Sequence, residues 1–286
     1  MNCRRAAWFA IPLFLLSIRA PAQAQQVEEA SADSVPWSGW WWPAVKGHLV
    51  LGYREEPGAL VKHDFITGRH AVSWEQQAIY HFDPQGEIWW GHCHAWAAAS
   101  LLEPEPRRDV AQGLVIFHVG DIKGLLTEAH YNDHAAFYGQ RFNGLPGDDF
   151  QDMAPSLVWS VLRKYIHDNH VGLVFDLDPG VAVDSHPVYR YRVTTQPAAD
   201  GQWEGKITIW YAIYQVNPDY LGTDVEQRDY TFTFQMQNGQ MVTGTDHWIE
   251  ASLMDHPDFA WYPIERAQGN PELDYDLVTQ LDAAAQ

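Results

Sequence analysis

Residues 89–106, WWGHCHAWAAASLLEPEP, join a tight turn to a strong helix-forming run. Gly91 permits the turn, because glycine has no Cβ to restrict the backbone. The alanine-rich run after it favours a helix, and Pro104 ends that helix, since proline disfavours helical geometry in the residue before it. The pattern therefore predicts a helix whose first residue is Cys93.

Cys93 is a candidate nucleophile. At a helix start, unpaired backbone N–H groups and the positive end of the helix dipole favour a thiolate, and the Cys93 amide is placed to donate to an oxyanion. The other cysteine, Cys3, falls in a predicted export signal, so Cys93 is expected to have no disulfide partner. The competing interpretation is a buried cysteine that packs under Trp96.

Two histidines, His92 and His94, flank the cysteine. A His-x-His pair binds metals when its segment is a strand, but adjacent side chains at a helix start diverge. We therefore expect a local role for both histidines, either shaping the loop or donating a hydrogen bond near the thiolate. A metal site made of His92, Cys93 and His94 is disfavoured.

A nucleophilic thiol needs a base from elsewhere in the chain, and His186 is the favoured candidate. It opens the strand-like run HPVYRY after an Asp-Pro-Gly turn. A cleft between that strand and the Cys93 helix would bring the two side chains together. His247 and His256 are the competing bases, and Asp246, next to His247, is predicted to be the orienting carboxylate.

The spacing of apolar residues differs between the two halves of the chain. Apolar residues recur every three or four positions in residues 73–82, 93–102 and 153–169, whereas the runs after residue 172 alternate with a period of two. The Asn-Gly pair at 238–239 is a strong hairpin signal. These patterns predict an α+β protein with an N-terminal helical half and a C-terminal antiparallel sheet.

The first residues predict export. Residues 1–24 combine early arginines, an apolar run and a small-x-small cleavage site, which is typical of a signal peptide. Residues 25–36 are acidic and poor in apolar side chains, so we predict a flexible lead-in to a single catalytic domain over 37–286. No later stretch has the roughly 20 apolar residues of a spanning helix. We therefore expect a soluble, secreted or periplasmic protein.

The net charge and the aromatic content indicate which classes of partner the chain is expected to bind. The net charge is −19, and removal of the three signal arginines changes it to −22. A polyanion of this size repels nucleic acid and anionic membranes. The chain also has 14 Trp, and the run at 37–42 predicts core packing more strongly than a stacking surface for sugars or peptides.

Several motifs resemble the oomycete-type transglutaminase elicitor family, whose bacterial members share a papain-like core. The matching runs are WSGWWWPAV from residue 37, GHCHAWAAASLLEPEP from 91, FHVGDIKGLLTE from 117 and DLDPGVAVDSHPVYRY from 176. The family opens the strand of the last run with V-W-N-x-P-V. Val183, Pro187 and Val188 match that pattern, whereas Asp184 and Ser185 replace its Trp and Asn.

The resemblance implies acyl transfer from a protein glutamine to a primary amine through a thioester on Cys93, with calcium dependence. The implied partners are proteins that present glutamine and lysine side chains. Two groups of acids are candidate calcium ligands, although neither matches an EF-hand loop and solvated turn acids are the competing explanation: Asp148, Asp149 and Asp152, and Asp176, Asp178 and Asp184.

Two other classes of function stay open from the residues alone. A cysteine peptidase or cell-wall amidase would use the same thiol and pass the acyl group to water. A non-catalytic protein would recognise carbohydrate or protein through its aromatic surface, with Cys93 merely packed.

Overall fold

A computed structural model describes residues 24–78, 81–145 and 153–286 and has mixed α and β structure. The helices are α1 (His48–Leu51), α2 (Ala59–Thr67), α3 (Ala71–Glu75), α4 (Cys93–Leu102), α5 (Val119–Ala129), α6 (Pro155–Leu162) and α7 (Tyr275–Ala285). The strands are β1 (Gln26–Ser31), β2 (Val110–Gln112), β3 (Val115–Phe117), β4 (His134–Gly139), β5 (Leu173–Asp176), β6 (Ser185–Pro197), β7 (Gln202–Ala212), β8 (Val225–Gln237), β9 (Gln240–Met241), β10 (His247–Trp248) and β11 (Phe259–Glu265).

Most strands belong to one antiparallel sheet. Its order is β10-β8-β7-β6-β5-β11-β4, with β1 beside β6 and β9 beside β8, while β2 and β3 form a separate hairpin. The first residues of β6 pair with β5, and its later residues pair with β1. The loop 177–184 therefore connects the end of β5 directly to the start of β6.

Helices cover both faces of this sheet. Successive residues of β5 alternate between two cores, as a strand requires: Val174 packs on the side of α4 and α5, and Phe175 packs on the side of α6. α4 contacts both β6 and α5. Its fully buried residue Trp96 belongs to the first core. The first residue of α4 is thus held at the edge of a packed layer.

The α+β prediction is confirmed. The helix predicted after Gly91 begins at Cys93, and the helix predicted near Pro155 begins there and continues as a π-helix over Arg163–Asp168. The Asn-Gly pair forms the two-residue turn between β8 and β9, with φ of 53° and 78°. Both residues take the left-handed geometry that this type of turn needs.

Other segments differ from the prediction. The predicted flexible lead-in contains β1, and Glu29 on that strand forms ion pairs with Arg190 and with Arg192 at 2.7 Å across to β6. Cross-strand charge pairs therefore order a segment that has few apolar side chains. Within residues 73–82 the helix α3 ends at Glu75. The strand β4 and the helix α7 were not predicted.

Some predictions fall outside the described residues. They are the signal peptide, apart from Ala24, and the acidic group Asp148, Asp149 and Asp152. Within the described part of the chain, no helix combines the length and the apolar character that crossing a membrane requires.

Candidate active site

The turn before Cys93 is braced by the Trp-rich run. The His92 amide donates to Trp41 O at 2.8 Å, and Pro43 forms a bridge with Gly91. A Cβ on Gly91 would lie 2.7 Å from Trp41 Cε3, so the close approach of these two segments requires glycine. Trp37 and Trp42 are buried, as the core interpretation of this run predicts.

The Cys93 thiol is buried at the start of α4. Its side chain is 4% exposed, and Sγ lies 3.7 Å from Val183 O. Burial raises the pKa of the Cys93 thiol to about 12, and the carboxylates of Asp176 and Asp184 act in the same direction. The backbone N–H groups of Ser185 and His94 favour the thiolate but do not offset the burial. The expected helix-start thiolate is therefore a thiol in this structure.

A cleft opens in front of the thiol. One cavity, of about 380 Å³, is lined by Trp89, Trp90, Gly91, Cys93, His94, Tyr131, Arg141 and Val183. A second cavity shares four of these residues and extends to Phe137 and Trp261. Arg141 lies 5.5 Å from the ring centre of Trp89 and donates to Val181 O at 3.0 Å, so it spans one side of the cleft.

His186 lies close to this site, in a hydrogen-bonded setting of its own. Nδ1 lies 2.9 Å from Ala212 O, and Nε2 lies 3.0 Å from Asp184 Oδ1. The ring stacks on Tyr214, whose hydroxyl donates to the same Asp184 oxygen. Trp96, one helical turn after Cys93, contacts His186 edge-on. The structure thus brings His186 near the start of α4, while both ring nitrogens contact partners other than Cys93.

Asp246 lies elsewhere. Its Oδ2 accepts a hydrogen bond from the Ser156 amide at 2.8 Å, at the start of α6, and it precedes the edge strand β10. Strands β8 and β7 separate β10 from β6. This placement does not agree with Asp246 as the orienting carboxylate of His186. Asp184 has that position instead, because it is the carboxylate in contact with the ring.

The competing histidines also lie away from the cleft. His247 is exposed on β10, and His256 is buried against Trp248 with Nδ1 2.8 Å from Ser252 O. Neither residue lines the two cavities at Cys93. Among the three histidines considered as bases, His186 is the one that packs beside the start of α4.

The calcium-ligand candidates Asp176 and Asp178 accept hydrogen bonds from backbone amides of the loop that ends at the third candidate, Asp184. Asp176 Oδ1 accepts from the amides of Asp178 and Asp184, and Asp178 Oδ1 accepts from the amide of Gly180. These carboxylates shape the loop between β5 and β6. The loop supplies Val183 O, and the first residue of β6 supplies the Ser185 amide, to the sulfur of Cys93.

Sequence reasoning did not pair Asp184 with His186, and it missed Tyr214. Asp184 precedes His186 by two residues at the start of an extended segment, and side chains at that spacing lie on one face of a strand. This spacing was a usable signal for the pair. Tyr214 gave no comparable signal, because it lies beyond the end of β7 and reaches the site only through the fold.

Together these features define a class of protein: an α+β fold of papain type, in which a cysteine begins a buried helix beside an antiparallel sheet. A family model described as Transglutaminase elicitor matches residues 86–220. Among solved structures, the chain is similar to the GP42 transglutaminase from Phytophthora sojae, with a TM-score of 0.71 and 18% identity, over 90% of this chain and 91% of that chain. None of the curated proteins matches the chain. The resemblance to the transglutaminase elicitor family that the sequence motifs indicated is thus confirmed for residues 86–220.

Proposed function

We propose that the chain is a cysteine-dependent aminoacyltransferase that cross-links protein glutamine to primary amines. The position of Cys93 carries the proposal: the residue begins α4, lines the cleft and lies inside the matched family segment. Asp184, His186 and Tyr214 fall in the same segment. Export of the chain stays a prediction from residues 1–24.

The proposed reaction has two stages. Sγ of Cys93 attacks the carboxamide carbon of a glutamine, the thiol proton passes to the Asp184–His186 pair, and ammonia leaves with a proton from that pair. A thioester on Cys93 results. A primary amine then attacks the thioester carbon, and the pair accepts the amine proton and returns one to the departing sulfur. The products are a substituted amide and the original thiol.

His186 is the proposed base. A carbonyl oxygen only accepts, so Nδ1–H donates to Ala212 O, which leaves Nε2 for proton transfer. In this structure Nε2 contacts Asp184, so deprotonation of Cys93 requires an exchange of partners around His186. The Nδ1 contact to Ala212 O orients the ring, and Asp184 stabilises its charged form. This role replaces the one predicted for Asp246.

The backbone around Cys93 suits the charge that develops in the reaction. The first amides of a helix have no acceptor within the helix, so the Cys93 amide is available to an oxyanion. The Ser185 and His94 amides favour a negative sulfur. We infer that these donors stabilise the thiolate once substrate displaces the contacts of the buried thiol.

The cleft suits an amine with an apolar stem. The rings of Trp89 and Trp90 line it, whereas Trp96 is fully buried in the core. A lysine side chain can lay its methylene groups along such rings. The acidic chain attracts cationic acceptors, an effect that salt screens.

The calcium dependence implied by the family resemblance is a separate question from the reaction itself. The acidic cluster that we find among the described residues contains two histidines, and calcium prefers sets of oxygen ligands. This cluster therefore does not suit calcium, and no step of the proposed reaction depends on calcium. Stimulation of the enzyme by calcium stays a prediction from the family resemblance.

The test is incorporation of a fluorescent primary amine into a glutamine-rich protein by the full chain. Cys93→Ala should lower the rate by about 10³ or more, because the covalent route is removed. His186→Ala should also lower it strongly, whereas His167→Ala, at an exposed histidine of the π-helix, should not. Circular dichroism and thermal melting of each variant check that the fold is intact.

Three results would overturn the proposal. Release of ammonia at saturating amine, without amine incorporation, would identify a thiol hydrolase such as a peptidase or cell-wall amidase. Full activity of a folded Cys93→Ala variant would show that catalysis does not use this thiol. No turnover of any glutamine or peptide substrate by the native chain would favour a non-catalytic recognition protein.

A further inference from the structure

Four titratable side chains meet in the interior, behind the start of α4. They are Glu75 at the end of α3, His81 in the following loop, His92 just before α4 and Glu128 on α5. All four are buried, with exposed fractions of 2% or less. One nitrogen or oxygen from each lies within 4.8 Å of the others. The proposed acyl-transfer chemistry does not use this cluster.

The spacing of these atoms suits four ligands around one small cation. His92 Nε2 lies 3.3 Å from His81 Nδ1, 3.4 Å from Glu128 Oε2 and 3.6 Å from Glu75 Oε1. Ligands placed tetrahedrally around Zn²⁺ at its usual bond lengths lie about 3.3–3.6 Å apart. His81 Nδ1 also lies 2.6 Å from Glu75 Oε2, and rotation of the carboxyl group would lengthen this distance.

Charge balance supports the same interpretation. Burying two carboxylates side by side is costly unless cations or hydrogen bonds compensate them. Neither oxygen of Glu128 makes a hydrogen bond of normal geometry with a described residue, although the side chain is fully buried. A divalent cation held by two carboxylates and two neutral imidazoles would make the cluster electrically neutral.

The surroundings fix the ligand atoms in place. His92 Nδ1 lies 3.2 Å from Trp42 O, so its N–H donates to that carbonyl and the Nε2 lone pair points into the cluster. A backbone carbonyl on the far nitrogen is the usual partner of a metal-binding histidine. The His81 ring packs against Trp74 and Tyr131, with ring centres 4.6 and 4.0 Å away.

We propose that Glu75, His81, His92 and Glu128 form a structural Zn²⁺ site. Two nitrogen and two oxygen donors suit zinc and do not suit calcium. The four protein ligands leave no open position, so the ion has a structural role. It ties α3, His81, the turn before α4 and α5 together directly behind Cys93. Of the three residues His92, Cys93 and His94, His92 alone belongs to this cluster.

The experiment uses the full chain and zinc itself. Purified protein is stripped with a chelator, loaded with Zn²⁺ and passed through a desalting column, and the metal is then measured by mass spectrometry. We expect about one zinc per chain, and a rise in Tm of about 5–10 °C when free Zn²⁺ exceeds its Kd about 100-fold. Co²⁺ in place of zinc should give the intense visible bands of tetrahedral coordination.

Matched variants locate the ion. His81→Gln and Glu128→Gln should each lower the retained zinc to about one tenth or less, because each removes one of four ligands. His167→Gln, at an exposed histidine, should retain one zinc. Cys93→Ala should also retain it, which separates this proposal from the proposed acyl transfer. If a ligand variant does not fold, the Co²⁺ spectrum and the zinc-dependent Tm of the native chain still test the site.

Three outcomes would overturn the proposal. The first is a native chain that retains no zinc and melts at the same temperature with and without it, as a purely hydrogen-bonded cluster would. The second is full zinc retention in both folded ligand variants, which would place the ion elsewhere. The third is a rise in Tm with Ca²⁺ but not with Zn²⁺.

Discussion

Asp184 Oδ1 lies 3.0 Å from His186 Nε2, and the two residues are two positions apart where the loop 177–184 enters β6. The carboxylate also accepts from the Tyr214 hydroxyl, and its charge acts on the Cys93 thiol. Contact with His186 lowers the pKa of Asp184 against the effect of its own burial. Asp184 is therefore an ionised link between the proposed base and the proposed nucleophile.

Asp184→Asn should lower kcat for amine incorporation by about 10²–10⁴, because the amide has no charge to stabilise a protonated His186. KM should change much less, since Asp184 does not line the two cavities at Cys93. Steady-state kinetics with a glutamine peptide and a fluorescent amine measure both values. An Asp184→Asn enzyme with native kcat would show that His186 needs no carboxylate.

Asp246→Ala should affect stability and spare catalysis. The substitution removes the acceptor of the Ser156 amide at the start of α6, and loss of such a contact costs about 1–2 kcal/mol. We expect Tm to fall by about 2–6 °C, with kcat within two-fold of native at 25 °C. Asp246→Asn keeps an acceptor oxygen and should melt closer to native. A large loss of kcat in the folded Ala variant would restore Asp246 to the active site.

Local patterns made part of this fold predictable. The alanine run and Pro104 define α4, and the Asn-Gly pair defines a hairpin, because each signal acts within a few residues of chain. The proposed zinc site could not be predicted from such local patterns. Its four residues come from four elements that span residues 75–128, and only the packing of α3, α4 and α5 brings them together.

The choice between Asp184 and Asp246 illustrates the same limit. Both acids precede a histidine and a strand in the sequence. The sheet order puts β6 beside the cysteine helix and β10 at the far edge, and long-range strand pairing determines that order. β1 was missed for a related reason, since its ion partners Arg190 and Arg192 are about 160 residues away along the chain.

Gly91→Ala should damage both stability and activity. The new methyl group would lie 2.7 Å from the Trp41 ring and 3.0 Å from Trp41 O, and relief of such overlap costs about 1–3 kcal/mol. The shift occurs two residues before Cys93, so kcat should fall as well. Gly113→Ala is the matched control: its φ of 62° makes alanine strained, but nothing lies within 4 Å of the new Cβ. Gly113→Ala should lower the Tm and leave kcat unchanged. Equal kcat in the two variants would contradict this account of Gly91.

Asp282→Asn should stabilise the protein in a pH-dependent way. Burial on α7, with Glu103 nearby, raises the pKa of Asp282 to about 6 in the folded chain, whereas an unfolded aspartate titrates near about 3.9. The folded state therefore holds this proton more tightly, and the free energy of unfolding falls as the pH rises from about 4 to about 6. Asparagine does not ionise and still offers an oxygen to the Gln286 amide, which donates to Asp282 Oδ1 at 2.9 Å. After allowance for solvent screening the gain is about 1 kcal/mol, or about 2–4 °C in Tm.

Melting curves should show this difference from native at pH 7 and little difference at pH 4. Asp276→Asn, at an exposed position on the same helix, serves as the control and should show no such rise. A gain of equal size at both pH values would mean that the asparagine acts through packing and not through the charge.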